Sequence, residues 1–198
     1  MVSAHTLPSD DGLAVSAAVS RRVATHLSVR AYPDEHAEAV AELAYRVARR
    51  LGIADDTVRS VVAGGLVHDI GKLAIDAAVL EKPARLSDEE WQIIRRHPHE
   101  GARLLSGIFA DEVLAVVRWH HERWDGTGYP DALPGTAIPI QARVVAVADA
   151  FRAMCEKRPY RAPVATDDAV SELEHGAGTQ WDPQCVAALL SVVTSGDA

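Results

Sequence analysis

Apolar residues recur at intervals of three and four along most of the chain, the spacing that places side chains on one face of an α-helix. In residues 34–51 this apolar series is Val40, Leu43, Ala44, Val47 and Leu51. Ser87 followed by Glu90 has the spacing of a capping box and predicts the start of another helix. The predicted helices cover residues 13–30, 34–51, 55–69, 87–105, 111–121, 139–156, 167–175 and 183–194. No segment alternates as a strand does, so the predicted fold class is all-α.

One segment interrupts the helical pattern. Residues 124–139 contain Gly126, Gly128, Pro130, Pro134, Gly135 and Pro139, a composition typical of a loop. The long helix predicted after this loop differs from the others, because residues 144–148 are all valine or alanine. A helix that lacks a polar face is normally buried. This helix is therefore expected to run through the centre of the molecule.

Composition narrows the class of protein. The chain has 198 residues, of which 48% are hydrophobic and 24% charged, ordinary values for a globular protein. Its formal net charge of −8 argues against nonspecific binding to DNA. We expect a cytoplasmic protein, since no apolar stretch is long enough for a membrane span and the first residues do not resemble a signal peptide. Cys155 and Cys185 are too few for a disulfide framework.

Histidine and aspartate stand at the ends of the most apolar segments. These segments are residues 61–67 before His68 and Asp69, residues 113–119 before His120 and His121, and residues 144–148 before Asp149. Burying a carboxylate is costly unless it is paired or bound to a cation. A shared metal centre would account for all three placements; the alternative is that each group finds its own hydrogen-bond partners. Imidazole and carboxylate without thiolate suit Fe, Mn, Zn, Co or Ni better than Mg or Ca.

Three short motifs point to a known family. Residues 68–72 are HDIGK, residues 120–122 are HHE, and residues 125–130 are DGTGYP. Together they resemble the HD-GYP family, a branch of the HD-domain metal-dependent phosphohydrolases whose characteristic substrate is cyclic di-GMP. The resemblance extends to His36, to His97 and to the segment 149–161. It implies a compact multi-helix HD-GYP domain over residues 31–198, with residues 1–30 as a helical extension or linker.

The resemblance also implies a set of metal ligands. The set consists of His36, His68, Asp69, His97, His120, His121 and Asp149. Asp69 is expected to bridge two ions, because a carboxylate has two oxygens. The remaining ligands are expected to divide into His36, His68 and Asp149 on one ion and His97, His120 and His121 on the other. Members with three metals carry a glutamate where this chain has Tyr32, so we predict two divalent ions, with Fe or Mn favoured over Zn, Co or Ni.

The implied reaction is hydrolysis of cyclic di-GMP to linear pGpG, with further hydrolysis to GMP left open. Two metal ions can activate water as hydroxide for in-line attack on phosphorus, which expels the ribose 3′-oxygen. Asp69 and Lys72 are the predicted catalytic residues, and the ammonium of Lys72 is also expected to contact a phosphate oxygen of the substrate.

Substrate contacts are expected from the loop that carries the DGTGYP motif. The predicted contacts there are Asp125, Gly126, Gly128, Tyr129 and Pro130. Arg158 and Arg161 are further candidates, because a guanidinium fits phosphate oxygens, although both could be ordinary surface arginines. Glu122 is expected to orient a ligating imidazole. Trp124 is either a stacking partner for guanine or, as is commoner beside a loop, packed against its own protein.

Two residues depart from the family pattern. Arg152 stands where the family commonly has aspartate, and Cys155 replaces a small hydroxyl residue, so both change the surroundings of Asp149.

The alternative functions are a phosphohydrolase of the HD superfamily acting on another cyclic dinucleotide or nucleotide, and a metal-containing regulatory scaffold with little turnover. The expected partner is a cyclic dinucleotide, with a homodimer or a regulatory protein left open.

Overall fold

The computed structural model describes residues 10–27, 33–156 and 163–195. Over these residues the α-helices are α1 Asp10–Leu27, α2 Glu35–Arg50, α3 Asp55–Val67, α4 Ala77–Leu80, α5 Asp88–Ile94, α6 His97–Leu105, α7 Asp111–Trp119, α8 Ile140–Cys155, α9 Thr166–Gly176 and α10 Pro183–Thr194. Short 3₁₀ helices cover Ile70–Ala74 and Gly135–Ala137. The described ranges contain no strand, and the predicted all-α class is confirmed.

The helix predicted over residues 87–105 is wrong in its length. The capping box of Ser87 and Glu90 is present, but it starts α5, which ends at Ile94. A separate helix, α6, begins at His97 with Pro98 in its first turn. Proline lacks an N–H and clashes with the preceding turn of a helix, so it favours a helix start over a helix interior. This break leaves His97 at the beginning of a helix.

The helices enclose two clusters of buried side chains around α2 and α3. The larger cluster includes Val40 and Val47 of α2, Val145 of α8 and Leu189 of α10. The smaller cluster joins α1 to α3 and the HDIGK segment, and its members include Val19, Val23, Leu66, Ile70 and Leu105. The predicted boundary at residue 30 lies outside the described residues. None of the helices in the described residues combines the length and the hydropathy that a membrane span requires.

Two helices end at the residues that were predicted to carry chemistry. The last residue of α3 is Val67, and His68 is its C-cap. In the same way, α7 ends at Trp119, with His120 as its C-cap. Because successive residues of a continuing helix point about 100° apart, the end of α7 is what allows His120 and His121 to lie side by side. Their ring centroids are 4.1 Å apart.

Candidate metal centre

The seven predicted metal ligands come together in one cluster, although they lie on five different helices or helix ends. Ring contacts connect His36 to His68, His68 to His120, and His120 to both His97 and His121. Asp149 of α8 closes the cluster, since its Oδ1 lies 3.1 Å from Nε2 of His36 and 3.9 Å from Nε2 of His68. The tertiary structure therefore brings together all seven side chains.

The donor atoms fall into two groups that share Asp69. One group is Asp69, His97, His120 and His121, and the other is His36, His68 and Asp69. Within each group the nitrogen and oxygen atoms all lie within 4.8 Å of one another. This arrangement resembles the expected division between two ions, with Asp69 between them and Asp149 beside the second group.

Backbone carbonyls hold three of the imidazoles in one tautomer. Nδ1 of His68 lies 2.7 Å from the carbonyl oxygen of Gly65, and Nδ1 of His97 lies 2.8 Å from that of Ile94. Nδ1 of His120 is likewise 3.0 Å from the carbonyl oxygen of Val117. A carbonyl only accepts, so each Nδ1 must donate its hydrogen, and in the neutral rings Nε2 keeps a lone pair. The three Nε2 atoms point into the cluster as potential ligand atoms.

Several inward atoms face one another, or lack a hydrogen-bond partner, among the residues that the structure describes. Nε2 of His97 faces Nε2 of His120 at 3.4 Å, and two lone pairs cannot form a hydrogen bond. Nε2 of His68 and Oδ1 of Asp69 are buried without a hydrogen-bond partner anywhere in the described ranges. Buried polar atoms normally form hydrogen bonds. The alternative, in which each group finds its own hydrogen-bond partners, therefore does not account for this cluster. A cation between the facing donor atoms would satisfy them, so the donor set fits a divalent transition metal.

Electrostatics favour positive charge at the same place. Burial disfavours a charge on His68, but the carboxylates of Asp69 and Asp149 outweigh it and raise the pKa of His68 to about 9. Burial and neighbouring imidazoles lower the pKa of His120 well below its usual value and that of His121 to about 3. Burial would raise the pKa of Asp69, but the surrounding imidazoles hold it well below its ordinary value. The carboxylates therefore create a negative potential that favours a cation, either a proton on His68 or a metal ion that replaces it, while His120 and His121 stay neutral.

Lys72 lies at the edge of the cluster, where its ammonium forms an ion pair with Asp69. The Lys72 side chain is 42% exposed, so the ammonium also reaches solvent.

Three residues singled out from the sequence, Tyr32, Arg158 and Arg161, lie outside the described residues. The phosphate contacts predicted for the two arginines and the argument from Tyr32 for two ions stay predictions.

Glu122 does not orient an imidazole, so that expectation was wrong. Its buried carboxylate accepts the backbone N–H of Asp131 at 2.7 Å and that of Leu133 at 3.0 Å. The chain has left α7 before residue 122, and the side chain turns toward the returning loop. Glu122 therefore anchors the segment that follows the DGTGYP motif.

The carboxylate that does contact a ligand imidazole is Glu156, which the sequence reasoning missed. Its Oε2 lies 2.7 Å from Nδ1 of His36, and its Oε1 lies 3.5 Å from Nε of Arg152. The available signal was spacing, because Glu156 directly follows the last residue of α8 and lies seven positions, about two helical turns, after Asp149. Burial opposes a charge on His36, but Asp149 and Glu156 together raise its pKa.

Within the loop, Tyr129 is the predicted substrate residue that contacts the cluster. Its ring stacks on His121 with centroids 4.9 Å apart and an interplanar angle of 25°. Burial raises the pKa of the Tyr129 hydroxyl, against the opposing charge of Arg95. Asp125 instead uses its carboxylate inside the loop, where it accepts the N–H of Thr127 and pairs with Arg123.

Two more residues of the loop are explained by packing. A Cβ at Gly128 would overlap the backbone of Glu122 and Arg123, so the loop closes tightly only with glycine there. The ring of Trp124 lies beneath the guanidinium of Arg143, 5.8 Å from its centroid, and so packs against its own protein.

Most of the chain matches a known family. Residues 19–185 match the family model described as HD domain. The chain therefore belongs to the HD-domain family, and the resemblance found in its motifs is confirmed. Membership implies binding of divalent metal ions, which agrees with the donor set of the cluster.

Curated relatives and a solved structure support this assignment. The cyclic di-GMP phosphodiesterase response regulator RpfG of Xanthomonas campestris is 43% identical over 156 residues, 77% of this chain and 41% of the relative. The 3′3′-cGAMP-specific phosphodiesterase 3 of Vibrio cholerae is 37% identical over 159 residues, 80% of this chain and 35% of the relative. An HDG"Y"P protein from Bdellovibrio bacteriovorus shares the fold, with a TM-score of 0.68 at 21% identity over 93% of this chain and 64% of that chain. The chain spans about two fifths of the length of these curated relatives.

Proposed function

We propose that this chain is a phosphodiesterase domain that hydrolyses cyclic di-GMP to linear pGpG with two divalent metal ions. The observation that carries the proposal is the pair of donor groups that share Asp69, with Nε2 atoms of His97 and His120 facing each other across 3.4 Å. The name of the Xanthomonas relative supports cyclic di-GMP as the substrate. Iron or manganese is favoured, with zinc, cobalt or nickel as substitutes, because the donors are imidazoles and carboxylates without thiolate.

Different residues of the chain would have different roles in this reaction. Metal ions bound here would supply Lewis acidity, by lowering the pKa of water and neutralising phosphate oxygens. Asp69 would hold both ions, and the ammonium of Lys72 would stabilise charge that develops on the phosphate as the bond to the ribose 3′-oxygen breaks. Tyr129, stacked on His121, would form one wall of the substrate mouth. The buried Glu122 would keep that wall in place through the loop backbone.

The direct test combines metal content with turnover on one sample. Protein purified without chelator should contain about two metal ions per chain by elemental analysis, and it should convert cyclic di-GMP to pGpG. Two metals without any hydrolysis of a cyclic dinucleotide would support the regulatory scaffold instead. No metal, and none taken up from added iron or manganese, would contradict the proposal.

A second substrate is supported by one specific comparison. A relative of similar identity is named as specific for 3′3′-cGAMP, which differs from cyclic di-GMP in one base. The kcat/KM values for cyclic di-GMP, 3′3′-cGAMP and cyclic di-AMP should therefore be compared on the metal-loaded protein. A higher value for 3′3′-cGAMP would shift the proposal to that substrate without changing the metal centre.

Glu156 provides a prediction about one half of the centre. Changing Glu156 to glutamine removes the charge that faces Nδ1 of His36, and partners of this kind typically change metal affinity by about 10-fold or more. We expect one of the two ions to be lost at lower chelator concentration, and the other to be retained. Titration with a chelator, followed by elemental analysis, measures this. Glu172→Gln, on the exposed face of α9, is the control; equal retention of both ions in the two variants would show that Glu156 does not support the ligand.

A further inference from the structure

We propose that Arg95 binds a phosphate group of the substrate, with its guanidinium held in place by the ring of Tyr129. Arg95 lies in the short connection between α5 and α6, two residues before His97. This inference rests on the proposed function, because it concerns the same anionic substrate.

The first argument is the position of the guanidinium. Its central carbon lies 5.5 Å from the centroid of the Tyr129 ring, within the range of a cation–π contact. The same ring stacks on His121, a predicted metal ligand. Arg95, Tyr129 and His121 therefore form a continuous series that begins at solvent and ends at the donor atoms of the centre.

The second argument is the absence of a competing anion. Four other cationic side chains of the described residues around the centre and its loop are paired with carboxylates: Lys72 with Asp69, Arg118 with Asp131, Arg123 with Asp125 and Arg152 with Glu156. Arg95 is exposed, and its one side-chain contact among the described residues is the ring of Tyr129. In a chain with a net charge of −8, an unpaired cation at this place is a local site for an anionic ligand.

The third argument comes from the geometry of arginine. A guanidinium above an aromatic ring interacts with it through its charge, so its N–H donors do not need the ring as a hydrogen-bond partner. Those donors remain free to form two parallel hydrogen bonds with phosphate oxygens. Lysine carries the same charge without this planar fork, so it would replace Arg95 only in part.

The test compares three variants of the metal-loaded protein. Arg95→Ala should raise KM for cyclic di-GMP about 10- to 100-fold with kcat little changed, the range of a charged hydrogen bond. Loss of affinity without loss of kcat is the sign of a contact made equally in the ground state and the transition state. Arg95→Lys should give an intermediate KM. The neighbouring Arg96, which is also exposed and makes no side-chain cap, is the matched control, and Arg96→Ala should behave as the unchanged protein.

Two further measurements separate phosphate binding from a structural role. Metal content should be the same in all variants, and KM should depend less on salt concentration in Arg95→Ala, because an exposed charge contact is screened by ions. Equal KM values for Arg95→Ala and Arg96→Ala, or a fall in kcat alone, would overturn the inference.

The inference and the proposed function can fail separately. If the unchanged protein hydrolyses no cyclic dinucleotide, the function has failed. The Arg95 inference is then decided by calorimetric binding of inorganic phosphate to the metal-loaded protein. Weaker binding in Arg95→Ala than in Arg96→Ala would support it, and equal binding would overturn it.

Discussion

Replacing Asp69 with asparagine is expected to lower cyclic di-GMP turnover more than about 100-fold, since even a residue that merely supports a metal ligand typically contributes 10- to 100-fold. Asp69 belongs to both donor groups, so its substitution affects both ions at once. Asparagine keeps the volume of the side chain but has only one oxygen and no charge. Elemental analysis should therefore show fewer than two metal ions per chain, and the product assay should show little pGpG.

The control for this prediction is a second Asp→Asn change at an exposed site. Asp88 lies in the first turn of α5 and is exposed to solvent. Asp88→Asn should keep both ions and normal turnover, and circular dichroism should show that both variants are folded. If Asp69→Asn retained two ions and full activity, Asp69 would not be the bridge between the two groups.

Replacing Gly71 with alanine is expected to lower the free energy of unfolding by about 3 kcal/mol, the cost of overpacking where little can move. A Cβ at this position would overlap the carbonyl oxygen of His97 and crowd the N–H of Gly101. For a chain of this length the melting temperature should fall by roughly 6–12 °C. The clash would also push Asp69 away from His97, and a displacement of about 1 Å in a catalytic site can cost about 100-fold in rate.

Gly107→Ala separates this effect from the general cost of replacing a glycine. Gly107 has a φ of +75°, and a Cβ there would contact nothing within 4 Å. Its replacement should cost about 1–2 kcal/mol, the penalty of the left-handed conformation, while metal content and turnover stay normal. Thermal unfolding and metal analysis of both variants provide the comparison. A Gly71→Ala protein with unchanged stability and two ions would contradict the close approach of these two backbone segments.

The helices and the types of chemical group were predictable because their signals are local. The apolar spacing of α2 and the capping box of Ser87 need only a few neighbouring residues. The apolar segment before His68 indicated a buried polar group for the same reason. The break before α6 was the exception, since Pro98 had to be given more weight than the helical pattern on either side of it.

The assignment of roles within the site needed the tertiary structure. His36 contacts both Asp149 and Glu156, residues that are 113 and 120 positions away in the chain. The spacing of seven residues places the two carboxylates about two helical turns apart near the end of α8, but it does not say which imidazole packs against them. For the same reason the sequence indicated Glu122 as polar and close to the ligands, and only the path of the returning loop showed that it binds backbone N–H groups.

The sequence alone thus determined an all-helical chain and its family, and it predicted the imidazoles and carboxylates that the cluster contains. Only the tertiary structure decided that two donor groups share Asp69, that Glu156 supports His36, and that Arg95 rests on Tyr129. The physical reason is the range of the interactions. Periodicity and capping depend on neighbours within a few residues, whereas the fit of donor atoms depends on how helices far apart in sequence pack against one another.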